Sequence, residues 1–166
     1  ANKMDIKKMT ALAMFSVIAL TIFTAESMIG QIVPIPGIKL GLANIVTLLV
    51  LVLYGPKEAV FVLIVRILLG SMFGGQMISF FYSLSGGILC WLVMSLISVL
   101  LKKKFLVLIS MCGAAAHNIG QILAAIVITH SISVVAYLPV LMLSAMITGC
   151  FTGLAARCAQ RDCKRS

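Results

Sequence analysis

Six polar side chains stand where the surrounding sequence is almost wholly apolar: Glu26, Asn44, Arg66, His117, Asn118 and Gln121. An ionisable group in hydrocarbon costs a few kcal/mol or more, so each charged or titratable one is a functional hypothesis by default. His117 and Gln121 lie one helical turn apart and share a face, with Asn118 beside them. Arg66 follows Lys57 by a helical distance of roughly 14 Å, which puts it near mid-membrane. Lys39 follows the turn-forming run Pro34-Ile35-Pro36-Gly37. Two cations against one carboxylate, beside amides and an imidazole, suit a ligand with an anionic or strongly hydrogen-bonding end. The many Leu, Ile, Met and Phe nearby would accept an apolar remainder. The candidate binding residues are therefore Glu26, Lys39, Asn44, Arg66, His117, Asn118 and Gln121. Arg66 and Lys39 would hold the anion, His117, Asn118 and Gln121 would hydrogen-bond it, and Glu26 would orient Arg66. The plainer alternative is that Glu26 and Arg66 neutralise each other while the other three tie helices together.

The elements that must position these groups follow from composition. Hydrophobic residues make up 62% of the 166-residue chain and charged residues 10%, with a mean hydropathy of +1.20. A water-soluble fold could not hide that much apolar surface. The stretches between charge clusters approach the roughly 20 residues a helix needs to span a bilayer. The expected fold is all-α, a single polytopic transmembrane domain over residues 1–166. Its six helices are placed at about 9–30, 40–54, 57–72, 77–101, 106–129 and 134–157. Pro34 and Pro36 make Val33 to Lys39 a structured loop. Gly55-Pro56 closes one helix and opens the next, a tight hairpin. The run Gly70 to Gly75 reads as a flexible turn. Small residues recur at four-residue spacing, Ala145, Gly149 and Gly153 on the sixth helix and Ala116, Gly120 and Ala124 on the fifth, letting backbones approach closely.

Orientation follows from where Lys and Arg fall. With the amino terminus inside, Lys3, Lys7, Lys8, Lys57, Lys102, Lys103, Lys104, Arg157, Arg161, Lys164 and Arg165 are cytoplasmic, so both termini are cytoplasmic and the site faces outward. The net charge of +9 is thus topology-setting, since no basic face interleaved with aromatics tracks a nucleic acid. Lys7 and Lys8 before an apolar run imitate a secretory signal, but the run is too long and lacks a small-x-small cleavage site, so it reads as a retained first helix.

Several chemistries find no support. No G-x-x-x-x-G-K-[ST] loop is present for ATP. The acids Asp5, Glu26, Glu58 and Asp162 are isolated, which argues against magnesium-diphosphate chemistry. Neither histidine has an acid nearby in sequence for a triad. Cys90, Cys112, Cys150, Cys158 and Cys163 show no metal-ligand spacing. The chain is expected to carry no metal or cofactor and not to be an enzyme by itself. An ion channel is disfavoured because no continuous polar line reaches the cytoplasmic face.

Some longer runs carry a family likeness. Glu26-Ser27-Met28, then Pro36-Gly37-Ile38-Lys39-Leu40-Gly41-Leu42-Ala43-Asn44, Tyr54-Gly55-Pro56, Arg66-Ile67-Leu68-Leu69-Gly70, Tyr82-Ser83-Leu84-Ser85-Gly86-Gly87 and Ala116-His117-Asn118-Ile119-Gly120-Gln121 resemble the Gx transporter family. Its members are often labelled heptaprenyl diphosphate synthase component I. That family is in turn similar to the substrate-binding S components of energy-coupling factor (ECF) transporters. The likeness implies substrate capture near the outer face of a bacterial plasma membrane, with a transmembrane coupling protein and two ATPases as partners. A quinone or isoprenoid precursor, or a flavin-related molecule, is the implied cargo. S components often carry A-x-x-x-A on the first helix for docking; here Ala11, Ala13, Ser16 and Ala19 offer no such repeat. The label itself implies instead a noncatalytic membrane subunit of a polyprenyl diphosphate synthase or a related redox assembly.

Overall fold

A computed structural model of the chain describes residues 6–28, 39–74, 77–101 and 105–165. Within them lie six α-helices: α1 (Ile6–Met28), α2 (Asn44–Leu53), α3 (Pro56–Gly74), α4 (Met77–Leu100), α5 (Leu106–Thr129) and α6 (Leu138–Arg165). A 3-10 segment, Ile132–Tyr137, leads into α6. Four of these units, α1, α4, α5 and the 3-10 segment with α6, are long and apolar enough to cross a membrane. Large apolar side chains such as Val17, Phe61, Leu96, Leu123, Ile147 and Phe151 are more than half exposed. Such an outer surface suits lipid and not water, so the chain is a multi-pass membrane protein.

Contacts along the helices fix their directions. Lys8 in the first turns of α1 pairs with Glu58 in the first turn of α3, Nζ to Oε1 2.5 Å. Further along, Phe23 of α1 packs on Gly70 of α3, so these two helices run in parallel. The others alternate: Trp91 of α4 donates to the Pro56 carbonyl at 3.0 Å, while Gly87 of α4 abuts Leu63 and Ile67. Between α4 and α5, Gly86 meets His117 and Met94 meets Gly113. Between α5 and α6, Gly149 approaches Met111 and Gly153 approaches Val107.

The second helix departs from its expected span of 40–54. It starts at Asn44 and has only 10 residues, about 15 Å, or half of a roughly 30 Å hydrocarbon layer. Asn44 is consequently its first residue, and not one turn inside it. The chain cannot be helical earlier because Gly41 adopts φ +79°. Short as it is, α2 touches each of the other five α-helices, and Val46, Leu48, Val50 and Leu51 are buried to 2% exposure or less. That explains why eight of its ten residues are apolar, Asn44 and Thr47 being the exceptions: a helix surrounded on all sides needs no polar face.

The Gly55-Pro56 hairpin forms as expected. The Tyr54 and Gly55 N–H groups both donate to the Val50 carbonyl, at 2.8 and 3.1 Å, with Gly55 at φ +116°. In the run expected to turn, Gly70 to Gly75, residues 70–74 are helical because α3 continues through Gly74, and Gly75 lies outside the described residues. Gly70 serves as a socket for the Phe23 ring, where any side chain would collide. The sixth helix begins at Leu138 with Pro139 in its first turn, where a missing N–H costs nothing. It also runs to Arg165, past the expected end at 157. The loop expected between Val33 and Lys39 falls, up to residue 38, outside the described residues.

Candidate functional site

Where α1 ends, α2 begins and the middles of α3, α4 and α5 meet, a small cavity lies between Phe23, Glu26, Lys39, Arg66, Ser83 and His117, with Gly41 and Ala43 in its wall. The cavity is small and as it stands has room for about one water-sized group. Four of the sequence-derived candidates, Glu26, Lys39, Arg66 and His117, line it directly. Asn44 joins them through Arg66, whose Nη2 donates to Asn44 Oδ1 at 3.2 Å.

One short non-helical segment, residues 39–43, forms the wall on the α1–α2 side, and side chains hold its backbone. Glu26 accepts the Gly41 N–H. Gln121, fully buried, donates its amide nitrogen to the Lys39 carbonyl at 3.0 Å. Its oxygen accepts the Lys39 N–H at 3.2 Å and His117 Nε2–H at 3.2 Å. This amide orientation gives each atom a complementary partner. A side-chain amide offers the same donor and acceptor pair as a peptide unit, so Gln121 pairs with this segment as a neighbouring strand would. Gly41 is required twice over, by its positive φ and because a methyl there would lie 2.9 Å from both Asn44 Nδ2 and His117 Cδ2.

The electrostatics are lopsided. Lys39 Nζ sits 3.3 Å from the Phe23 ring centroid, a cation–π contact, and the Arg66 guanidinium carbon is 6.0 Å from the same centroid. Burial pulls the Lys39 ammonium down to about 8, with Glu26 opposing and Arg66 reinforcing the shift. Arg66 is 2% exposed, yet its Nε and Nη1 have no hydrogen-bond partner. Ser83 Oγ and Asn44 Nδ2 are likewise buried and unpartnered. Buried polar atoms are almost always satisfied, so a group of unfilled donors around one cavity is a departure needing a cause.

Two roles expected from the sequence change. Glu26 makes no direct ion pair with Arg66: among the described residues the one ion pair within 4.0 Å is Lys8–Glu58, and Asn44 accepts from the guanidinium while Glu26 accepts from Gly41. Asn118 turns from the cavity towards α6, donating to the Leu141 carbonyl at 2.6 Å. A helix presents adjacent residues about 100° apart, so Asn118 cannot follow His117 and Gln121. Sequence reasoning missed Ser83 as a site residue. Its signal is a face of small and polar residues along α4, at Ser79, Ser83, Gly86, Gly87 and Cys90, all of them buried.

A buried polar cavity inside an apolar helical bundle defines a class, the multi-pass membrane protein with an internal site. The family model described as heptaprenyl diphosphate synthase component I matches residues 15–159, and the chain belongs to that family. No curated protein and no solved structure matches it. Among the described residues no group of three or more His, Cys, Asp or Glu side chains could hold a metal.

Proposed function

We propose that this chain is a substrate-capturing membrane subunit, resembling the S component of an ECF-type importer, which takes up a small anionic or amphipathic molecule. One observation carries the reading: Arg66 is buried in the bundle with most of its donors unfilled, beside a second cation, Lys39, at the same cavity. An unpaired buried cation is too costly to keep for packing alone, and a bound anion removes the cost. In this reading Arg66 and Lys39 hold the anionic group and His117 borders it. Asn44 fixes the guanidinium, while Glu26 and Gln121 hold the wall that Lys39 belongs to. Asn118 serves the site by joining α5 to α6.

The distribution of Lys and Arg supports both termini on the cytoplasmic side of a bacterial plasma membrane, with residues 39–43 and the cavity towards the exterior. A transmembrane coupling protein and two ATPases would then supply the energy. A quinone or isoprenoid precursor, or a flavin-related compound, has the required combination of polar and apolar parts. The family's description favours a second reading, a noncatalytic membrane subunit associated with other components of a polyprenyl diphosphate synthase.

Gentle purification from native membranes separates the two. Recovery of a coupling protein with ATPases favours import, and recovery of a soluble prenyl synthase favours the second reading. Mass spectrometry of the retained small molecule, in the natural chain and in Arg66→Ala, tests the site. If the variant keeps the same ligand at the same occupancy, the anion-capture reading is wrong.

A further inference from the structure

We infer that the Glu26 carboxylate is a built-in stand-in for a carboxylate of the cargo: it occupies the anion position of the empty site and leaves it on capture. This rests on the anion-capture reading above and narrows it to a substrate class, molecules that end in a carboxylate.

What Glu26 touches carries the inference. At the entry to α2 the Asn44, Ile45 and Val46 N–H groups close on the Gly41, Leu42 and Ala43 carbonyls, at 3.0, 3.1 and 3.3 Å. The amides at the start of a helix lack such partners along the chain, and together they attract an anion. Glu26 accepts the Gly41 N–H, and the Leu42 amide bonds to it as well. It does so from another helix, at the same cavity as Lys39, Arg66 and Ser83. Backbone amides with two cations nearby are the donors that a free carboxylate seeks, and a carboxylate is already there. On the other side of this segment Gln121 holds the Lys39 backbone with a neutral amide. The charge at position 26 is therefore not needed merely to hold backbone.

Charge, space and position agree. Among the described residues Glu26 forms no ion pair within 4.0 Å, and Arg66 Nε, Arg66 Nη1 and Ser83 Oγ stay unpartnered. Glu26 thus balances charge without filling those donors, as a temporary occupant does and a structural ion pair does not. The cavity has room for about one water-sized group, too little for cargo while Glu26 is in place. Glu26 lies in the last turn of α1, two residues before the helix ends at Met28, about 3 Å along the axis. A change of rotamer carries its carboxylate towards that end, the outer face in the orientation proposed above, and frees the space it held. One carboxylate replaces another at the same amides, so the buried cations are not left without an anion.

The test uses the full chain in detergent with pentanoate as the probe, titrated by calorimetry at pH 7. Glu26→Asp keeps the charge but shortens the reach by one methylene, which weakens the resident carboxylate as a competitor. Pentanoate should bind Glu26→Asp several-fold more tightly than the natural chain. Equal or weaker binding by Glu26→Asp, or no binding to either chain, overturns the exchange, because a residue that only shapes the wall gives no gain when shortened. Glu26→Ala removes a group the size of acetate, so acetate should bind that variant about tenfold or more tighter than it binds the natural chain, with chloride unable to replace it. A Glu26→Ala chain that folds only in acetate supports the inference in the same way, since a ligand stabilises the state that binds it. Equal effects of acetate and chloride, or no effect of either, reduce Glu26 to a neutralising charge and overturn the inference. Retention of an anion from native membranes by the natural chain, and its loss in Arg66→Ala, leaves anion capture standing even then.

Discussion

The seam between α5 and α6 and the cavity around Arg66 are both polar places in an apolar bundle, and they are built on opposite rules. In the seam, Ser110 and Thr152 share a hydrogen bond of 2.7 Å. Gly149 and Gly153 there bring backbones so close that a methyl would lie 2.7 Å from Met111 Cα or 2.6 Å from Val107 Cα. Both hydroxyls of the Ser110–Thr152 pair are met and little space is left there, although Asn118 Oδ1 farther along the seam is unpartnered. Around Arg66 donors go unmet and space remains. Satisfied polarity with tight packing holds helices together in lipid. Unsatisfied polarity beside a void calls for something from outside the chain.

The sharpest way to break the contrast is to overfill the seam. Gly153→Leu forces a side chain into the Val107 backbone and should destabilise the protein by about 3 kcal/mol or more, read as a lowered midpoint in detergent unfolding. Arg66→Met should behave differently, costing ligand affinity on the order of a hundredfold while leaving the unfolding midpoint of the ligand-free protein level or higher, because an unpaired buried charge has been removed. A large drop in that midpoint would make Arg66 a structural residue like those of the seam.

Titration separates the regions next. Lys39 carries its proton below about 8 and loses it above, so the affinity for an anion should be high at pH 7 and fall by about tenfold as pH rises through 8 to 9, measured by calorimetry. Neither Ser110 nor Thr152 titrates in that range, so their contribution to the α5–α6 packing should stay level. The smallest effect belongs to Ser110→Ala and Thr152→Ala. Their double-mutant cycle should return a coupling of about 0.6 kcal/mol and no change in ligand binding.

Much of this was legible from residue types alone. The extent of α5, the Gly55-Pro56 hairpin and the small-residue ridges follow from local chemistry, and local chemistry is what a sequence displays. The two ridges do different work, however: Gly149 and Gly153 face α5, while Gly120 faces the α4 backbone at Ser85 and Gly86. Glu26, Lys39, Arg66 and His117 were recognisable because hydrocarbon penalises them wherever they point. Their partners were not. Nothing local says that Glu26 would accept an amide from Gly41 rather than face Arg66, or that Gln121 would pair with the Lys39 backbone. Ser83 escaped because a hydroxyl in a membrane helix can return to its own backbone at little cost, as Ser16 does to Leu12 at 2.8 Å. Only the fold distinguishes a hydroxyl so occupied from one left free. The shortness of α2 was hidden for a related reason: Leu40 to Ala43 are apolar enough to extend a helix, and only their tertiary partners prevent it.

That shortness has a consequence for solvation. A helix of about 15 Å is entered through residues 39–43, peptide backbone with no ladder of its own, a state that hydrocarbon forbids unless protein groups stand in for water. Glu26 and Gln121 are those stand-ins, one from each side. Their side chains act as a partial hydration shell for the Lys39 and Gly41 backbone, standing in for water at the peptide groups they meet.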